Sequence, residues 1–274
     1  MAPLVPTLET VAPVNGERIA GSIGLRLPHQ DVRIAVLDPA TGQFQRLAAA
    51  NKSGTIVVRG ENVFGGYLQA EHNHNIWVDT GDGQGRFYNT GDLGRQDENG
   101  YFYITGRQKE LIIRGGHNID PRVIEDALQA HPAVALAAAI GRPDADAGEL
   151  LVAYVTRAPG HAVTEAELLA FAAAHTPERA AVPKRVYIAD ELPLTAIGKI
   201  FKPALLKQEI ARVFSEQLAA VPGLRVQGIT VRDDRTRGLV ADIAATGAAA
   251  AVPMAAAVHQ ALAGYTVPYD LHWE

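Results

Sequence analysis

Three short runs in this 274-residue chain bring together residue types that could do chemistry. The first is Tyr88-Asn89-Thr90-Gly91-Asp92-Leu93-Gly94-Arg95, which sets a carboxylate beside a glycine. The two oxygens of Asp92 match the two hydroxyls of a vicinal diol. The second is Thr105-Gly106-Arg107-Gln108-Lys109-Glu110-Leu111-Ile112-Ile113-Arg114-Gly115-Gly116, with an arginine early in the run and a glycine pair at its end. Glycines lack a Cβ and let a ligand come close to the backbone. The third is Leu192-Pro193-Leu194-Thr195-Ala196-Ile197-Gly198-Lys199, a proline-to-glycine loop that delivers one lysine. A compact ammonium on a flexible stem is a good point charge for an anionic transition state.

Each run also has a plain structural reading. An Asp after Gly in a turn usually serves local backbone hydrogen bonding. Taken alone, Arg107 reads as a solvated turn residue, Lys109 as a lysine entering a strand, and Gly115-Gly116 as a tight turn. Order and context tip the balance. Together the three runs resemble the C-terminal part of the adenylate-forming (AMP-binding) enzymes, the superfamily of acyl-CoA synthetases, luciferases and peptide-synthetase adenylation domains. The resemblance covers roughly residues 20 to 210. The run Ile112-Ile113-Arg114-Gly115-Gly116-His117-Asn118-Ile119-Asp120-Pro121 looks like an acyl-CoA synthetase rather than a peptide-synthetase domain.

The resemblance implies a two-step ligase reaction. A carboxylic acid, fatty or aryl, and ATP with Mg2+ give an acyl-adenylate and pyrophosphate; the small lobe then swings, and the thiol of CoA displaces AMP. In that scheme Asp92 and Arg107 hold the ribose, and Lys199 is the catalytic residue, bridging the α-phosphate and the substrate carboxylate. Lys109 is the hinge, and Gly115 and Gly116 line the route of the pantetheine arm. The Ser/Thr/Gly-rich phosphate loop that opens the family's large domain does not occur in this sequence, nor does the aromatic-Gly-x-Thr-Glu motif. The expectation is a C-terminal part that does not complete catalysis alone. The alternative is a non-catalytic remnant that binds nucleotide or a partner without turnover.

Other chemistries are disfavoured. The absence of cysteine removes disulfides, thiolate metal sites and a cysteine nucleophile. His72-Asn73-His74 has no third ligand in phase, so no metal site is expected. A hydrolase nucleophile elbow is missing. A net charge of −5, with basic residues scattered, argues against nucleic acid. No apolar run is long enough to span a bilayer, and no export signal is seen, so a cytoplasmic location is expected. Thr80-Gly81-Asp82-Gly83 repeats the Thr-Gly-Asp triplet without the flanking Tyr and Leu-x-Arg, and reads as an inserted loop.

The elements that must position these residues define an α+β chain. Residues 1–19 read as an irregular lead-in. Residues 1–106 read as the last β-rich subdomain of the large domain, with strands over 32–37 and 55–59 and a strand pair over 101–105 and 110–114. Residues 107–214 read as a small mixed α/β lobe. Asp120 caps a helix there, with Pro121 at its first position and Ile124, Ala127, Leu128 and His131 on one face. Thr164 and Glu167 form a capping box before a second helix. Pro203 opens a third, with Leu206, Ile210, Val213 and Phe214 on its buried side. Residues 215–274 read as an appended β-β-α extension, bulged at Gly228 and suited to homo-oligomer assembly.

Overall fold

The computed structural model describes residues 19, 21–38, 41–177, 179–234, 236–246 and 251–273, without the side chains of 251–253. The lead-in expected over residues 1–19 lies outside them, apart from Ile19. The chain divides into two compact units, Met1–Glu110 and Leu111–Glu274.

The first unit is an antiparallel sheet of six strands: β1 (Asp31–Leu37), β2 (Phe44–Leu47), β3 (Gly54–Arg59), β4 (Trp77–Val78), β5 (Phe87–Gln96) and β6 (Phe102–Arg107). The order is β2-β1-β3-β5-β4, with β6 also paired to β5. Strand side chains alternate between faces, and β3 is apolar on both. Ile56 and Val58 pack with Val32, Ile34, Tyr88 and Phe102, while Val57 packs with Ala35, Val78 and Phe87. At Gly94 of β5 an added Cβ would sit 2.7 Å from both Ile56 Cδ1 and the Tyr103 carbonyl, so close packing demands glycine there.

The loop around Asp82 has a structural partner in the sheet. The Arg59 guanidinium donates to Asp82 at 2.9 Å and to Asp31 at 2.7 Å, and lies 4.1 Å over the Phe87 ring. Arg59 and the Gln84 N–H hold the Asp82 carboxyl well below the usual carboxylate range. Asp82 therefore ties the loop to the sheet.

The second unit begins with β7 (Ile112–Arg114), β8 (His117–Ile119), α1 (Arg122–Gln129), β9 (Val134–Asp144), β10 (Gly148–Arg157), α2 (Glu165–His175), β11 (Arg185–Ile188) and α3 (Lys202–Leu218). Its sheet runs β11-β10-β7-β8, with β9 also on β10 and only β10–β11 parallel. Period-two alternation divides the two strands of the central hairpin cleanly. Ala137, Ala139, Leu151, Ala153 and Val155 face α1 and α2; Ala138, Ile140, Val152 and Tyr154 pack with Leu192 and Leu205.

Several expectations hold in detail and some need correction. The capping box at Thr164 and Glu167 is present. α1 starts one residue later than expected, with Pro121 in the N-cap position; Asp120 still accepts the Arg122 N–H at 3.0 Å, and Ile124, Ala127 and Leu128 are buried. His131 lies beyond the end of α1, where its Nδ1 accepts the Ala133 N–H. The strands over 101–105 and 110–114 do not pair. β6 hydrogen-bonds to β5, whereas β7 turns back on β8. The physical reason is the 3-10 turn Gln108–Glu110, which ends one sheet before β7 starts another.

The extension comprises β12 (Arg225–Asp234), β13 (Gly238–Thr246), α4 (Ala251–Leu262) and β14 (Tyr269–Trp273). The register slips between Val226 and Gly228, where the bulge is expected. It is β-β-α-β rather than β-β-α, because β14 returns to lie parallel to β13. Nor does it stand apart from the lobe: Ile210, Val213, Phe214 and Leu218 of α3 are buried against Ala241, Ile243, Val258 and Leu262.

Candidate active site

Asp92 and Arg107 are brought together. They are cross-strand partners in the β5–β6 ladder, and Arg107 Nε donates to Asp92 Oδ1 at 3.1 Å. The local sequence builds this geometry. Asn89 Oδ1 accepts the Gly91 N–H at 2.9 Å, and Thr90 Oγ1 accepts the Asp92 N–H at 3.1 Å while donating to the Ile56 carbonyl. Those side-chain bonds fix the kinked strand, so the Asp92 carboxylate stands at its rim, 21% exposed, beside an Arg107 that is 62% exposed. Among the described residues, Asp92 Oδ2 and the two terminal nitrogens of Arg107 have no partner. An acceptor oxygen and free guanidinium donors side by side suit a diol. Beneath them Tyr88 packs on Phe64 and Trp77, and burial, then Tyr67 and Asp92, push its hydroxyl up to about 12.

Lys109 is exposed in the 3-10 turn Gln108–Glu110, at the end of the first unit. Gly115 and Gly116 form the exposed two-residue turn between β7 and β8, with φ of +55° and +81°. Two successive left-handed residues are what a tight hairpin of this hand requires. An added Cβ at either would meet nothing within 4 Å, so backbone conformation rather than crowding selects glycine. The turn reading is thus correct, and it leaves open space over the backbone.

Lys199 closes a small hairpin. Leu194 bridges Ile200, the Thr195 N–H donates to the Lys199 carbonyl at 2.7 Å, and the Lys199 N–H donates to Thr195 Oγ1 at 3.1 Å. The Lys199 side chain is exposed and has no ion-pair partner among the described residues. Exposed apolar side chains flank it: Leu194, Ile197 and Phe201. An unneutralised ammonium on a loop stiffened by its own backbone bonds is suited to receive an anion.

Two charged groupings escape sequence reasoning. Glu209 of α3 is fully buried; it is bonded by Arg142 of β9 and Tyr154 of β10, which clamp the helix to the sheet, and by Arg212 of α3 itself. Burial and this carboxylate drive the Tyr154 hydroxyl far above its ordinary range. Lys202, the first residue of α3, pairs with Glu125 of α1 at 2.8 Å. A lysine at a helix N-terminus opposes the helix dipole, which is the signal that could have flagged it.

Residues 123–199 match the family described as the AMP-binding enzyme C-terminal domain. The chain is 43% identical over 228 residues to marinolic acid–CoA ligase from Pseudoalteromonas sp. (strain SANK 73390), covering 83% of this chain and 34% of the relative. It is 38% identical over 195 residues to the long-chain-fatty-acid–CoA ligase of Bacillus subtilis (strain 168), covering 71% of this chain and 33% of that one. ATP-bound MatB from Rhodopseudomonas palustris superposes with a TM-score of 0.62 at 35% identity, over 72% of this chain and 37% of that one. The chain therefore belongs to the adenylate-forming (AMP-binding) enzymes through this C-terminal region. It spans about a third of the length of these relatives.

Proposed function

We propose that this chain is the C-terminal part of an ATP-dependent acyl-CoA synthetase, which turns a carboxylic acid, ATP and CoA into acyl-CoA, AMP and pyrophosphate. The observation that carries the reading is Lys199, the last residue of the family match, presented on a stiff loop with no acid partner among the described residues. ATP supplies the α-phosphate that the substrate carboxylate attacks. Asp92 Oδ2 and the free nitrogens of Arg107 hold the ribose hydroxyls, and the Lys199 ammonium takes the charge that develops between carboxylate and α-phosphate. Lys109 serves as the hinge, because it lies next to the junction of the two compact units. The open Gly115-Gly116 turn gives the pantetheine arm of CoA its approach. Mg2+ enters with the triphosphate. The acid is a fatty or aryl acid. An assembly through the extension would use its charged strand face, where Arg232 and Arg237 pair with Asp234, Asp242 and Asp270; its apolar side packs on α3 and α4.

The test is carboxylate-dependent ATP–pyrophosphate exchange across a panel of fatty and aryl acids, followed by CoA addition. The intact enzyme that carries this chain is expected to exchange and then release acyl-CoA. The 274-residue chain alone is expected to show no exchange, since its sequence holds no phosphate loop. An intact protein that binds ATP yet exchanges with no acid would favour the non-catalytic remnant instead. Robust exchange by the purified chain alone would overturn the division of labour proposed here.

Asp92→Ala in the intact enzyme removes the acceptor oxygens. A hydrogen bond to a charged group contributes about 1.5–3 kcal/mol, so kcat/KM for ATP should fall about 10–100-fold. Steady-state kinetics at varied ATP check this, and an unchanged KM for ATP would count against the ribose assignment.

A further inference from the structure

Lys202 begins α3 immediately after the Lys199 hairpin, and its location is electrostatically unusual. A cation in the first turn of a helix faces the positive end of the helix dipole. No acidic residue of α3 itself lies in that turn. What compensates is external. The Lys202 ammonium lies 2.8 Å from Glu125 Oε1, and both side chains are largely buried, 18% and 14% exposed. Glu125 Oε1 also accepts the Ala139 N–H at 2.8 Å, in the middle of β9. Burial pushes the nearby Asp120 carboxyl up, and Lys202 opposes that shift.

The two legs of the lysine hairpin are thus held by different means. The incoming leg is anchored by Leu192, buried with Ala138, Ile140, Val152 and Tyr154. The outgoing leg runs from Ile200 through Phe201, whose N–H donates to the Pro193 carbonyl at 2.7 Å, into Lys202. There a charged pair of low exposure joins the start of α3 to α1 and to β9. We infer that Lys202 is a positioning residue for Lys199, and that the Lys202–Glu125 ion pair sets where the lysine hairpin is presented. This rests on the function proposed above.

A displacement of about 1 Å at a reacting group can cost about 100-fold in rate. Lys202→Met in the intact enzyme should therefore lower the kcat of adenylate formation about 10–100-fold. Thioester formation from supplied acyl-adenylate and CoA should change less than about twofold, since Lys199 acts only in the first step. Glu125→Gln should show the same one-sided loss. Lys202→Arg should recover most of the rate, because a guanidinium keeps the charge and can reach the same carboxylate. A merely structural role would instead lower both half-reactions together, in step with a fall in Tm. Lys199→Ala is run beside them. If Lys199→Ala spares adenylation, the functional reading fails. If Lys199→Ala abolishes adenylation while Lys202→Met and Glu125→Gln do not lower it selectively, the positioning inference alone is overturned.

Discussion

Replacing Lys199 by alanine in the intact enzyme that carries this chain is expected to cut acyl-adenylate formation about 10²–10³-fold, a loss of about 3–4 kcal/mol of transition-state stabilisation. Under the proposed function, the size follows from removing one preorganised charge where negative charge develops. The side chain is exposed and lacks an ion-pair partner among the described residues, so its removal breaks nothing in the fold. Stability should change by less than about 0.5 kcal/mol, as for other exposed sites free of such contacts. The hairpin itself survives, because the bonds that close it use the Lys199 backbone and the Thr195 hydroxyl. Thioester formation should remain near wild type if the lobe pivots about Lys109 between the steps and carries Lys199 away. Supplying acid plus ATP, and separately acyl-adenylate plus CoA, measures the two steps apart. Equal loss in both would mean that Lys199 is not confined to the first.

The sequence makes some of this arrangement legible for identifiable reasons. Asp92 and Arg107 lie fifteen positions apart with a Glu-Asn-Gly turn, Glu98-Asn99-Gly100, between them. Short-range hairpins of that kind place motif residues opposite each other with little help from the rest of the chain. The capping box at Thr164 and Glu167 is equally local. What resists reading is non-local. β7 takes β8 and β10 as neighbours instead of β6, a choice governed by which hydrophobic set Ile112 joins, and Ile112 joins Leu128 and Leu151. β14 is five residues long, carries Asp270 and His272, and becomes a strand only because β13 offers a parallel edge. Glu209 reads as an ordinary helix charge, and Lys202 stands out only as a cation in the first turn of α3. Their significance appears only once Arg142, Tyr154 and Glu125 arrive from elements that lie between about 50 and 80 residues earlier in the chain.

Phe214→Ala should be the most damaging single change to the second unit, and it tests whether the extension is part of the lobe. Phe214 lies on α3 and is completely buried. Its ring meets Tyr265 at 5.7 Å and Tyr269 at 6.2 Å, both edge-on, within the cluster that also holds Ile243, Val258 and Leu262. Truncating a buried phenylalanine costs about 3–5 kcal/mol through lost transfer energy and the cavity left behind. For a body of this size each kcal/mol lowers Tm by about 2–4 °C, so a fall on the order of 10 °C is expected. The form of the transition carries more information than its midpoint. α3 presents Leu205 to the lobe sheet and Val213, Phe214 and Leu218 to the extension, so both layers draw on one helix. Lobe and extension should therefore melt together, in the variant as in the parent chain. Calorimetry with limited proteolysis distinguishes the cases. If the extension unfolds first and leaves the lobe transition at its original temperature, α3 does not couple the two. If they melt as one, the helix that starts beside Lys199 is braced from both sides, and the extension contributes to holding the Lys199 hairpin.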